Sequence, residues 1–107
     1  MLNYKKYFNK VVHIAGKKAE QEKDEFVLEA FEHEADALKI IDNRKKWKKE
    51  DLFLNIRIDD EALLADLKTV KEGTPLVITV FIKESTIYNK IIPVFVLEDF
   101  KILKVNK

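Results

Sequence analysis

The sequence predicts a mainly β domain, a five-stranded barrel with one α-helix between strands 3 and 4. Three observations predict it. Aliphatic residues alternate with other types from Leu52 to Ile58 and again from Leu76 to Ile82, the period of a strand with one buried face. Between those runs, two aspartates, an apolar stripe at helical spacing and a glycine mark one short helix. The 107 residues suffice for a single core and not for two, so residues 1–107 read as one domain.

Composition narrows the function classes. Hydrophobic residues make up 47% and charged residues 36%, the balance of a folded domain with a strongly solvated surface. Net charge is only +1, so the case for a nucleic-acid partner rests on local clustering of cations. The absence of Cys excludes a disulfide framework, a thiolate nucleophile and a cysteine metal site, and it is compatible with a reducing cytoplasm, the expected location. The opening MLNYKKYFNK has no apolar signal core, and no run approaches the roughly 18 apolar residues of a membrane helix. No membrane partner is expected.

Residues 2–10 mix Tyr4, Tyr7 and Phe8 with lysines, a basic aromatic arm or a first strand whose aromatics pack. VVHIA at 11–15 is a short β-rich run holding His13 as an ordinary strand residue, and Gly16 with Lys17 and Lys18 predicts a turn. AEQEKDE reads as a solvated loop. From Phe26 to Glu34 the alternation puts Phe26, Leu28 and Ala30 on one face of a second strand. His33 lies among Glu29, Glu32, Glu34 and Asp36, but without metal-ligand spacing, so exposed strand-edge charge is the expectation and no metal is. This acidic patch would repel phosphates and is expected to lie away from any nucleic-acid path.

The segment 37–43 shows no clear pattern. After it comes RKKWKK, five cations around one Trp: Arg44, Lys45, Lys46, Trp47, Lys48 and Lys49. A Trp among cations can stack on a base while its neighbours neutralise phosphates; the alternative is a solvated loop whose Trp folds back onto apolar surface. In the strand that follows, Leu52, Leu54, Ile56 and Ile58 point to the core and Phe53, Asn55 and Arg57 point outward. An outward Phe beside an outward Arg offers a stacking platform with a phosphate contact.

Asp59 and Asp60 are the N-cap candidates of the helix, and Glu61 suits its first turn. Leu63, Leu67 and Val70 form its stripe, with Leu64 beside them, and Lys68, Lys71 and Gly73 supply the stop signal. The stripe is expected to plug one barrel opening. In the next strand Leu76, Ile78, Val80 and Ile82 face one way and Val77, Thr79, Phe81 and Lys83 the other. ESTIYNK at 84–90 predicts a polar hairpin exposing Ile87 and Tyr88, with Lys90 at its end. The last strand, 91–103, is expected to bend near Glu98–Asp99, and Pro93 places part of it on an edge.

Three strands, a helix and two more strands form the layout of an OB-fold barrel. On these residues the chain resembles the single-stranded DNA-binding protein family of bacteria and their phages. FNKVVHIAG is similar to that family's Asn-Lys-Val opening, and WKKEDLFLNIRI to the stretch where a Trp and a second aromatic, six apart, precede a strand. ALLADLKTVKEGTPLVITVFI, STIYNK and VLEDFKIL resemble the helix-turn-strand, the hairpin and the closing strand. The resemblance spans about Phe8 to Leu103. It implies base stacking by Trp47, Phe53 and Tyr88, and phosphate contacts by Lys45, Lys46, Lys48, Lys49, Arg57, Lys83 and Lys90. Three features depart from the family. VITVFI lacks a Gly found early in its fourth strand, Asp59 stands where an aromatic often lies, and the chain closes on KVNK without the acidic-hydrophobic tip that recruits replication and repair partners. That recruiting role is expected to be missing.

The expected function is binding of single-stranded DNA with little sequence preference, with RNA as the other strand the same chemistry would take. Homo-oligomers through edge strands 2–15 and 91–103, and replication or recombination proteins, are the expected protein partners. The alternative is an OB-fold adaptor that binds another protein in a replication or phage assembly without touching nucleic acid. Two distant His, one Ser and no Cys supply no catalytic set, so neither an enzyme nor a cofactor is expected.

Overall fold

The computed structural model describes residues 7–34 and 52–103. The segments 2–6, 37–43 and 44–49, with Arg44, Lys45, Lys46, Trp47, Lys48 and Lys49, lie outside the described residues, as does KVNK.

Five strands close into a barrel: β1 (Lys10–Gln21), β2 (Glu25–Ala30), β3 (Phe53–Arg57), β4 (Pro75–Ile87) and β5 (Lys90–Ile102), in the spatial order β1-β2-β3-β5-β4. The helix Glu61–Lys68 joins β3 to β4. The predicted mainly β, OB-like architecture is therefore present, helix position included.

Closure depends on β1 serving two neighbours. Residues Lys10 to Lys17 pair with β4, and Gly16 to Gln21 pair with β2. Gly16 belongs to both ladders, opposite Leu76 and opposite Ala30. The turn expected there is not found; the glycine lies in mid-strand. A Cβ at position 16 would meet the Glu29 carbonyl oxygen at 2.5 Å, so the glycine permits a close strand approach at the barrel corner. The polar run AEQEKDE is also not a single loop. Its first part continues β1 across a bulge between Lys18 and Glu20, and Glu22 N–H donates to the Glu25 carbonyl at 2.9 Å to close the hairpin to β2.

In β2, Phe26, Leu28 and Ala30 are buried, as the alternation predicts. The strand ends at Ala30, short of the expected Glu34. Phe31 N–H donates to the Ala15 carbonyl at 3.0 Å, and residues 32–34 are helical, as their Glu-rich composition permits. At the other end of β1, Phe8 is buried in the turn before Lys10, so this aromatic packs into the core.

The helix begins at Asp60, whose carboxylate accepts from Ala62 N–H at 2.8 Å and Leu63 N–H at 3.1 Å. Leu67 is fully buried and Val70 nearly so, while Leu63 and Leu64 pack against the core as partly buried neighbours. Full burial of one Leu is worth about 1.5–3 kcal/mol, so Leu67 is the anchor of this element. Its C-terminal end is held from inside the barrel: the buried Lys18 Nζ donates to the carbonyls of Leu67 at 2.8 Å and Val70 at 2.7 Å. The Leu67 carbonyl also accepts from Val70 N–H at 3.0 Å, so the ammonium adds a second donor at a helix end, where intrahelical partners run out. The helix stops at Lys68, ahead of Gly73, which sits at φ +90° in the 71–74 turn closed by Thr74 N–H to the Lys71 carbonyl at 3.2 Å. A type II turn needs that backbone at its third position.

β4 and β5 form one long hairpin, paired from Leu76↔Ile102 to Ile87↔Lys90. The bend expected near Glu98–Asp99 is a bulge: Thr79 faces Asp99, but Val80 faces Leu97, leaving Glu98 as the extra residue. The hairpin expected as a polar loop over 84–90 is strand except for Tyr88 and Asn89, which turn with φ 49° and 64°. Two consecutive positive φ values make the type I′ turn that suits the strand twist. Beyond Ile82 and Phe95 this hairpin leaves the barrel as a two-stranded arm, 83–94, in which β4 and β5 pair only with each other among the described residues. Pro93 lies in that arm, opposite Glu84, which agrees with its expected edge position. No described helix is long and apolar enough to cross a membrane.

Candidate nucleic-acid interface

β3 positions the first part of the interface. Ile56 is buried next to the end of the strand, and the pleat turns Phe53, Asn55 and Arg57 to the outside, as predicted. Phe53 is 45% exposed, a large aromatic surface left open on a sheet face. Arg57 lies beside Val96 on β5, which faces Phe81 on β4, which in turn faces Val11 on β1. The outward face therefore runs from β3 across β5 and β4 to β1. Alternation carries the same face into the arm through Lys83 and Ile87 on β4 and through Val94 and Lys90 on β5.

At the tip of the arm, Tyr88 is 94% exposed. Its φ of 49° is a backbone conformation that Asn or Gly adopts more readily than Tyr. An aromatic there is held away from the core, at some conformational cost, by the geometry of the turn.

Arg57 is engaged. Its Nε donates to Asp59 Oδ1 at 2.9 Å and its Nη2 to Asp59 Oδ2 at 3.0 Å, a two-pronged pair. The hydrogen bond to Asp59 raises the Arg57 pKa further, the carboxylate charge adds to it, and Asp24 contributes at longer range. In turn the Arg57 hydrogen bond holds the Asp59 carboxyl below its ordinary 3.8; desolvation opposes this, and the charges of Arg57 and Lys83 reinforce it. Of the two cap candidates, Asp60 therefore caps the helix and Asp59 binds the arginine. The period of two that places residues 57 and 59 on the same side of an extended chain was the available signal in the sequence.

The acidic patch is nearer than expected. Glu29 stands opposite Phe53 and Glu25 opposite Arg57 across the β2–β3 ladder. The expected separation of acid from the candidate path does not hold at Glu29, because antiparallel pairing brings β2 directly against β3. Among the described residues no group of three or more metal-ligating side chains exists. His33 Nε2 lies 3.1 Å from the Glu34 carboxylate, and its ring stacks on Phe31 at 6.0 Å. His13 Nδ1 is 3.0 Å from Thr79 Oγ1, an ordinary cross-strand pair.

The structure thus puts Phe53 and Arg57 on one face of β3, at its two ends, puts Lys83 within electrostatic reach of Asp59, and sets Tyr88 and Lys90 at the far end of the arm.

No protein-family model matches the sequence, and no curated protein matches it. Among the solved structures similar in fold are two of the mitochondrial single-stranded DNA-binding protein Rim1 from S. cerevisiae. The first, selenomethionine-labelled, superposes with a TM-score of 0.63 at 13% identity, over 91% of this chain and 97% of the other. The second has a TM-score of 0.60 at 12% identity, over 91% and 96%. This chain shares the barrel fold of these single-stranded DNA-binding proteins across nearly its whole length.

Proposed function

We propose that this protein binds single-stranded DNA with little sequence preference, using the outward face of β3 and the β4–β5 arm. The observation that carries the reading is the presentation of exposed aromatics beside cations: Phe53 with Arg57 on one strand face, and Tyr88 with Lys90 at the arm tip. Bases stack on Phe53 and Tyr88, each stack contributing about 1–3 kcal/mol, while Lys83, Lys90 and Arg57 meet phosphates. Trp47 and the flanking Arg44, Lys45, Lys46, Lys48 and Lys49 are counted as strand-binding residues too in this reading. The fold shared with the Rim1 single-stranded DNA-binding proteins supports it.

Near-neutral net charge implies modest, strongly salt-dependent affinity. Oligomerisation would raise it. Residues 10–14 of β1 pair with β4 on one side and with no strand on the other among the described residues, and Val11 is exposed beside them, which supports pairing of copies through the expected edge strand 2–15. A cytoplasmic setting, no enzymatic activity, and replication or recombination proteins as further partners complete the proposal. The test is anisotropy of a fluorescein-labelled oligo-dT with the wild type, Phe53→Ala and Tyr88→Ala. Each substitution weakens binding by roughly 1–3 kcal/mol if both residues stack; undiminished binding by both variants would sink the assignment of this surface.

The second reading, an OB-fold adaptor for another protein, is favoured by the placement of Glu25 and Glu29 against β3. It predicts no response of the labelled oligonucleotide at any salt concentration.

A further inference from the structure

Arg57 is the only described cation on the outward face of β3, yet the Nε–Nη2 edge of its guanidinium is taken by Asp59. A carboxylate held by Nε and Nη2 takes the place that two phosphate oxygens would take, because the arginine fork matches both anions. Two observations and one general rule indicate that this carboxylate is not needed for the fold. The helix is capped by Asp60. The pair is open to water, with side-chain exposures of 46% and 56%. Exposed ion pairs add little to stability. The surroundings of Arg57 are also acidic, with Glu25 directly across the ladder and Asp24 within electrostatic reach.

We infer that Asp59 is a built-in competitor for phosphate at the Nε–Nη2 edge of Arg57, so that nucleic acid takes that edge only by displacing the carboxylate. The inference rests on the binding function proposed above and adds a residue that restrains it. Displacement exchanges one anion for another on the same fork: the Arg57–Asp59 bonds break, Arg57–phosphate bonds form, and the released Asp59 carboxylate is left beside Lys83. Arg57 then contributes less to affinity, and less to counterion release, than a free arginine would. The competitor lowers the affinity of every strand alike, since it acts through the backbone and reads no base.

The test is a double-mutant cycle on labelled oligo-dT binding, measured over a range of salt concentrations with the wild type, Asp59→Asn, Arg57→Gln and the double variant. Circular dichroism and urea midpoints verify that all four are folded. Asp59→Asn is expected to tighten binding about three- to fivefold at low salt. It should also steepen the plot of log K against log salt by up to about 0.7, the increment for one more phosphate contact on a single strand. In the Arg57→Gln background, the same substitution should change affinity less than about twofold. An equal gain with and without Arg57 overturns the inference, because the effect is then general removal of negative charge. Wild-type binding that Asp59→Asn leaves unchanged or weakens overturns it too, while the binding function stands. If neither the wild type nor Asp59→Asn binds, the binding function itself falls and the competitor with it.

Discussion

Gly16 and Ala30 face each other across the β1–β2 ladder with no room for a side chain between them: a Cβ on Gly16 would lie 3.0 Å from the Ala30 Cα and 2.5 Å from the Glu29 carbonyl oxygen. This contact is where β1 changes partner, so strain there acts on both ladders. Gly16→Ala is expected to destabilise the protein by about 1–3 kcal/mol, the usual cost of overpacking. A urea unfolding midpoint that does not fall would show that the corner can open.

Lys18 and Leu67 tie the helix to the barrel. Replacing Lys18 with Met removes the ammonium from the carbonyls of Leu67, which keeps Val70 N–H, and of Val70, at a cost of about 1–3 kcal/mol in equilibrium unfolding. Faster amide exchange in the helix than in β4 would locate the loss.

The same lysine carries a pH signature. Burial pulls its ammonium below 10.5, with the Glu72 charge opposing. The unfolded chain therefore binds more protons at this group in the window just under pH 10.5, and the lysine's contribution to stability rises with pH there and levels off above it. Subtracting the pH profile of Lys18→Met from that of the wild type isolates the effect; a difference that is flat up to pH 10.5 contradicts it.

At the arm tip, stability and binding should move in opposite directions. Tyr88 and Asn89 occupy a turn that prefers Asn followed by Gly. Tyr88→Asn is expected to stabilise the fold by about 1 kcal/mol. It should weaken oligonucleotide binding by roughly 1–3 kcal/mol through loss of one stack. Thermal melting and anisotropy on the same samples measure the two signs, and loss of both properties together would mean that Tyr88 holds the arm in place.

Asp59 should titrate below 3.8, and Arg57→Gln should return it towards that value. Whatever the pair adds to stability is present above the ordinary carboxylate pKa and disappears as pH falls through the lowered one. A carboxyl-carbon NMR titration of the two proteins measures both midpoints. No shift between them would mean that the pair does not persist in solution.

Much of the barrel was legible because its signals are local. The alternations 52–58 and 76–82, the aspartates before Glu61 and the outward Phe53 and Arg57 each follow from the pleat or the helix period alone. Gly16 misled because its role comes from a chain segment fourteen residues away, at Ala30, which no local pattern reports. The strand end 84–87 reads as a loop because it lies on the arm, where water, not a core, faces most side chains, and 19–21 reads as one because its polar residues hide the pairing with β2. The acids of β2 were expected away from the candidate path, since their register against Phe53 and Arg57 is set by pairing and not by sequence period. Lys18 gave no sign of burial. Its position is explained only by the helix end that it reaches.

The most direct test of strand binding uses the chain's single Trp. Emission of Trp47 is followed while oligo-dT is added, at low and at high salt. Saturable quenching at low salt that weakens steeply at high salt is the predicted result, the joint signature of stacking and phosphate neutralisation. Flat emission at low salt, together with flat anisotropy of a labelled oligonucleotide, would contradict single-stranded nucleic-acid binding and leave the protein-binding adaptor as the function to pursue.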